Sequence, residues 1–278
     1  MRPSPRLGFA FAMICSAFVA SSACAQTSQP AGNFKPLFNG KDLTGFYTYL
    51  KGDGKNNDPQ KVFQVDRDGV VHIYRDSTDG AAMPFGYFAT EEEFSDYHLR
   101  FQYKWGTKRF GGRSKSRRDA GCLYHVTGPD GWLNGTWPFS IECQVMEQDT
   151  GDIFAVGTSV TTMIDPAKAK TPTFMEATAG GIEYTSPQKM PVNSRVIRDP
   201  MAEVDGWNTV EIIVRGDSAV HIVNGRVNNR ILHATVPNLD KPGEWVPLRK
   251  GRILFQAEGA EVCYRNIEMH PVVTDEVR

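Results

Sequence analysis

Cysteine is scarce in this chain, and the scarcity is informative. Five cysteines occur in 278 residues, and two of them, Cys15 and Cys24, fall in an N-terminal stretch that reads as a leader. The other three, Cys122, Cys143 and Cys263, do not make a disulfide framework. Each sits in a strand-like run, where free cysteine behaves as a small buried hydrophobe; a cross-strand 122–143 bridge is the alternative. No Cys/His spacing suits zinc. Beyond residue 20 no apolar run approaches the roughly 20 residues that a bilayer requires, so no membrane span is expected. A phosphate-cradling loop and a nucleotide fingerprint are missing, since "RFGGRS" lacks the glycine spacing, and so is a Gly-x-Ser-x-Gly nucleophile elbow. No internal repeat or Pro/Ser-rich linker divides the chain.

The leader is read from Arg2 and Arg6, the 14-residue apolar run from Leu7 to Ala20, and the small-x-small triplet Ala23-Cys24-Ala25. Cleavage after Ala25 leaves a single domain over 26–278, 253 residues with a net charge moved from −1 to about −3 by the loss of two arginines. The expected location is periplasmic or secreted, with lipoprotein anchoring at Cys24 the lesser alternative, because Ser21 stands where a leucine is usually wanted. The mildly acidic balance argues against nucleic acid as a partner.

What is present is alternation. Short apolar/polar runs separated by Gly, Asp, Asn and Pro predict strands at 61–65, 70–74, 97–105, 120–126, 139–146, 180–184, 208–215, 219–223, 252–257 and 262–269. "DRDG" at 66–69, "NG" at 224–225 and the Arg-Gly-Asp of "VRGD" read as hairpin turns. One short helix is expected near 165–170, and 185–207 reads as a surface loop. So many strands in an undivided chain predict an all-β sandwich of two packed sheets.

Three of these runs carry a polar face. In 97–105, His98, Arg100, Gln102 and Lys104 oppose Tyr97, Leu99, Phe101, Tyr103 and Trp105. In 120–126, His125 shares a face with Leu123, and in 139–146 Glu142 and Gln144 oppose Ile141, Cys143 and Val145. If the three are sheet neighbours, Gln102, Lys104, His125, Glu142 and Gln144 form one wet concave surface suited to sugar hydroxyls. Trp132 and Trp137 are placed to stack on pyranose faces or to pack at the rim.

Four blocks, "FKPLFNGKDLTGF" (34–46), "AGCLYHVTGPDG" leading to "WPFSIECQV", "WNTVEIIVRGDSAVHIVNG" (207–225) and "GRILFQAEGAEVCYRNIEMHP" (251–271), resemble the 3-keto-disaccharide hydrolase domain family. The resemblance spans nearly all of the chain after the leader. It implies a concanavalin A-like two-sheet β-sandwich (jelly roll) and cleavage of glycosides oxidised at sugar C3. Where the family commonly reads Asn-Ser-Gly, this chain has Asp119-Ala120-Gly121.

The chemistry follows from the ketone. It acidifies the proton at C2; a base removes that proton, the aglycone leaves C1, and water adds to the enone. Glu142 or His125 is the candidate base and Lys104 the candidate for the enolate oxygen. Gln144, Gln102 and Gln256 are expected to hold hydroxyls. A rival reading takes Glu142-x-Gln144-x-x-Glu147 as the carboxylate strand of a retaining β-glucanase, with a bulge returning Glu147 to the face of Glu142. A non-catalytic carbohydrate-binding module is the third reading. Residues 104–118 hold seven basic and no acidic side chains, which suits either a hairpin loop or a site for an anionic glycan. No metal or other cofactor is expected; "KGDGKNNDP" (51–59) and "DRDG" have some oxygen-ligand character for calcium but not the spacing of an EF-hand loop.

Overall fold

The computed structural model describes Met1, residues 33–188 and residues 193–272; the leader read at 1–25, Met1 apart, lies outside the described residues. From Asn33 onward the chain forms one compact unit. Three antiparallel sheets build it. The back sheet runs Arg226–Ile231, Ser218–Val223, Asn208–Arg215, Tyr97–Arg109, Ala260–Pro271, Val71–Ile73, Phe63–Val65, with Lys35–Pro36 also on Ala260–Pro271. The front sheet runs Asn193–Val196, Ile153–Val156, Phe139–Met146, Asp119–Thr127, Arg252–Ala257, Gly86–Thr90, Phe46–Leu50, Gly54–Lys55. A smaller sheet joins Ile182–Thr185, Ser159–Ile164, His233–Pro237 and Trp245–Pro247.

Alternation in the long strands sends every second side chain into the layer between front and back sheets. Leu99, Phe101 and Tyr103 meet Cys122, Tyr124, Phe88 and Phe255 there, all fully buried. Aromatic edges join the layers: Phe101 lies 5.1 Å from Phe255 and Phe88 lies 6.1 Å from Tyr264, both T-shaped. Each such ring contributes about 1.5–3 kcal/mol by leaving water, so this layer is what keeps the two sheets together. The all-β sandwich expected from the sequence is the fold observed.

The predicted turns at 224–225 and 216–217 close hairpins, with Asn224 and Gly225 both at positive φ (48° and 77°) as a two-residue type I′ turn requires. The expected helix is a single 3-10 turn, Pro166–Lys168, started by the Asp165 carboxylate accepting from Ala167 N–H. Within the stretch expected to be loop, Asn193–Val196 is an edge strand of the front sheet.

One expectation of adjacency fails. Tyr97–Arg109 is paired with Asn208–Arg215 and Ala260–Pro271, so it belongs to the back sheet and is no neighbour of Asp119–Thr127. Its polar face and the polar face of Phe139–Met146 therefore look away from each other, on opposite outer surfaces of the sandwich.

Candidate active site

Register in the front sheet assembles the site. Gln144 stands opposite Gly121 and Glu142 opposite Leu123. On the other side of Asp119–Thr127, Phe255 stands opposite Cys122, which brings Gln256 beside Gly121. Cys122, Cys143 and Phe255 point into the core, so Glu142, Gln144, Gly121 and Gln256 share the outer face. Gly121 leaves a gap there. A Cβ at this position would lie nearer than 3.0 Å to both Glu142 Oε1 and Gln256 Oε1. The missing side chain is what lets those two tips meet over the strand.

All three polar groups are buried, with Glu142 6%, Gln144 5% and Gln256 2% exposed. Yet among the described residues the Oε1 atom of each has no hydrogen-bond partner, and neither does Asp119 Oδ1. An orphaned buried acceptor costs about 1–3 kcal/mol. Four of them beside one another describe a surface shaped for a ligand with O–H donors rather than for its own stability.

The local charges are as unusual. Arg113, on the 3-10 turn Gly111–Arg113, pairs with Asp119 through Nη1 and with Glu258 through Nη2 at 2.7 Å. Glu258 is held above the ordinary carboxylate range, first by burial and then by the nearby Asp119, with Arg113 opposing. Burial likewise raises Asp119 against the pull of Arg113. Glu142 is pushed well above its ordinary value of 4.5 by burial, with Glu258 and Asp119 adding to the shift and Arg113 reducing it. A carboxyl so placed binds its proton more tightly than an exposed one, as is common for acid–base groups in a site.

An aromatic wall adjoins this cluster. Tyr87 is the strand partner of Gln256 and stacks on Tyr49 at 5.4 Å with 19° between planes. Trp137 lies 6.3 Å beyond Tyr87. Asp130 Oδ1 accepts from Tyr87 Oη at 2.6 Å and Tyr47 Oη at 2.9 Å, which ties the loop before Trp137 to the sheet.

The chain matches, over residues 33–270, the model of the 3-keto-alpha-glucoside-1,2-lyase-like domain. The chain belongs to this family. Membership makes it a carbohydrate-active domain, and the family is the one its four sequence blocks resemble. No curated protein matches the chain in sequence. Among solved structures it is similar to a candidate glycosyl hydrolase from Parabacteroides distasonis (18% identity, 86% of this chain and 94% of that one, TM-score 0.46). It is also similar to carbohydrate binding module CBM66 from Bacillus subtilis (10%, 81% and 95%, 0.38) and to Bacillus licheniformis β-glucanase (10%, 88% and 100%, 0.41). These likenesses concern fold alone.

Within this lyase-like domain, Glu142, Gln144 and Gln256 come together as their strand positions require, and Trp137, bridged to Leu133 before the strand, joins the aromatic wall through Tyr87. Trp132 stays at the loop tip, 47% exposed, with its ring 5.2 Å from Phe139. Four other expectations are corrected. Lys104 lies on the back sheet, its Nζ 5.1 Å from the Trp207 ring. Gln102, on the same strand, accepts from Arg265 and Asn266 and donates to Thr209. His125 leaves the front face because its strand bulges between Tyr124 and Thr127; at φ 52° the ring turns to the Gly216 carbonyl, 3.0 Å from Nε2, and burial lowers its pKa to about 4. Glu147 follows a regular register from Asp119↔Met146 to Tyr124↔Ile141, so no bulge returns it to Glu142's face. Arg118 binds it at 2.7 Å and holds its pKa near about 2.

Asp119, Glu258, Arg113, Tyr87 and Asp130 were not singled out as site residues from the sequence. Glu258 was within reach, two residues from Gln256 on the same strand parity. Arg113 was hidden in a basic run. In that run Arg109 and Arg118 pair with Glu147, Arg117 with Asp149, and Lys108 caps backbone carbonyls of 74–77, while Lys115 stays exposed. Cys122 and Cys143 are direct strand partners and both are free thiols. In the stretches with calcium-like composition, Asp58 accepts from Val62 and Phe63 N–H, and Asp66 from Asp68 and Val70 N–H.

Proposed function

We propose that this domain cleaves 3-keto-glycosides by elimination across C1 and C2, with Glu142 as the base. One observation carries the reading: a buried carboxyl with no partner, poised over a glycine gap between two unpartnered amides. The family description, which names a 1,2-lyase acting on a 3-keto-glucoside, supports it. Glu142 in its ionised form takes the C2 proton, and the C–H electron pair enters the enolate of the C3 ketone. That enolate collapses to a C1–C2 double bond as the C1–O bond breaks, and the departing aglycone oxygen takes a proton from water. The hydroxide so formed adds to C1 of the enone while Glu142 returns its proton to C2, which completes a net hydrolysis and restores the carboxylate. The amides of Gln144 and Gln256 accept from ring hydroxyls through Oε1 or, turned over, donate to the C3 oxygen as charge develops there. The pKa displacement of Glu142 helps, because a carboxylate that binds protons tightly is a stronger base. We also propose that the domain works outside the cytoplasm after loss of residues 1–25, which the mass of the protein recovered from its native host would test.

The deciding comparison is product release from a glucoside and from its 3-keto form, with wild-type protein and Glu142→Gln. Release from the oxidised sugar alone, lost in the variant, is expected. Equal release from the plain glucoside would replace elimination with ordinary glycoside hydrolysis.

A further inference from the structure

We infer that the front-sheet site admits a neutral glycone and turns away an anionic one, through the three carboxyls of Asp119, Glu142 and Glu258 set around the one guanidinium of Arg113. The inference rests on the reading of this face as a sugar site.

Its first support is the kind of atom left open. Asp119 Oδ1, Glu142 Oε1, Gln144 Oε1 and Gln256 Oε1 are all buried acceptors without partners. Hydroxyl groups satisfy such atoms, whereas the carboxylate of a uronate or a sulfate ester brings more acceptors and a negative charge. The second support is where the cations are. Both arms of Arg113 are occupied, by Asp119 and by Glu258. Arg195, behind the Phe154 ring that stands opposite Glu142, is held by Asp149 at 2.8 Å and Asp152 at 2.5 Å. Lys104 lies on the far sheet, the other arginines of 104–118 are tied to Glu147 and Asp149, Lys108 pairs with Glu261, and Lys115 is exposed at the loop surface. To be neutralised by one of these arginines, an anionic glycone would have to break its half-buried pair and leave a carboxylate uncompensated. Lys55, 3.9 Å from the Tyr47 ring at the other margin, faces the aromatic wall, so charge on a remote aglycone falls outside the inference.

The test is equilibrium binding, followed by ligand-observed NMR on the full protein, of methyl α-glucoside and of methyl α-glucuronide, which differ only at C6. The neutral sugar is expected to bind at least about 10-fold more tightly at pH 7, because its hydroxyls donate to the open acceptors whereas a carboxylate brings only further acceptors. Asp119→Asn and Glu258→Gln should each narrow the gap. Equal or tighter binding of the glucuronide, or no binding of the glucoside, would overturn the inference, as would a gap that neither folded variant changes. Turnover of the 3-keto forms separates this inference from the one beneath it. Binding selectivity without turnover of 3-keto-glucoside would sink the elimination reading alone. Equal kcat/KM for the 3-keto-glucoside and 3-keto-glucuronide would sink the selectivity alone.

Discussion

The two outer faces of the sandwich carry similar side chains and use them in opposite ways. On the back sheet Arg100, His98 and Gln102 each have their complement one strand away. Arg100 pairs with Glu268 at 2.6 Å, His98 with Glu211 at 2.8 Å, and Gln102 holds Arg265, Asn266 and Thr209 together. On the front sheet Glu142, Gln144 and Gln256 sit beside a glycine and an aromatic wall, and their acceptor atoms reach nothing. A self-satisfied polar face stabilises the sheet it lies on. A face that leaves buried acceptors open costs stability and is kept for what fills it.

Glu142→Gln is the most severe way to break the contrast. The amide keeps the shape of the carboxyl but cannot take a proton, so turnover of a 3-keto-glycoside should fall by about 10²–10⁴-fold. Thermal unfolding should show a Tm no lower than wild type, because the change replaces a buried carboxyl that has no hydrogen bond to lose at Oε1. A large drop in both activity and Tm would place Glu142 with the structural carboxyls instead. Gly121→Ala should come next, at about 10²-fold, the scale of a misplacement of roughly 1 Å at a reacting group. The added Cβ displaces only the tips of Glu142 and Gln256, and the backbone there is ordinary strand, so kcat is expected to fall far more than stability in urea titrations.

How much of this could be read from the sequence divides along physical lines. Strict alternation marked Phe139–Met146, Asn208–Arg215 and Arg252–Ala257 to the residue, and with them the shared parity of Glu142 and Gln144. Gly86–Thr90 is buried along its whole length and shows no alternation, so it went unseen, and Tyr87 with it. Strand order was the deeper loss. A period of two says which side chains share a face of one strand but not which strand lies next to it, and so Lys104 and Gln102 were grouped with Glu142 across a sandwich that separates them. His125 failed for a local reason, a bulge that breaks the count. Arg113 looked like one more cation in a solvated run, because what distinguishes it is two acids brought to it by the fold, Asp119 from its own loop's far end and Glu258 from 145 residues away.

Changing pH sharpens the contrast without touching shape. Burial holds Glu142 well above 4.5 in the folded chain, so the unfolded chain releases this proton first as pH rises. Folded protein is then penalised for keeping it, and wild type should lose stability relative to Glu142→Gln as pH climbs above 4.5. Glu147 runs the other way. Arg118 depresses it to about 2, so its contribution is present above its ordinary value of 4.5 and is lost as pH falls through about 2. Paired Tm curves of wild type, Glu142→Gln and Glu147→Gln from pH 4 to 8, an interval of about four units that starts below the ordinary carboxylate value of 4.5, should show a widening gap for the first variant and, above about pH 5, a nearly constant one for the second. A constant gap for Glu142→Gln would mean the folded carboxyl titrates normally and the front face is wetter than its burial implies.

The smallest effects belong to the back sheet, and they decide whether the contrast is real. Lys104→Ala removes a cation lying over Trp207, on the surface opposite Glu142, and should leave kcat/KM for a 3-keto-glycoside within about 2-fold, since surface changes remote from a site act on neither binding nor chemistry. Gln102→Ala removes the amide to which Arg265 and Asn266 donate and which itself donates to Thr209. The loss should cost about 1 kcal/mol of stability, no more, because the stranded donors on this half-open face can turn to water. Activity should stay level. If Gln102→Ala or Lys104→Ala instead cut turnover by the factors expected of Gly121→Ala, the chemistry would lie on the back sheet after all, and the open acceptors of the front face would need another explanation.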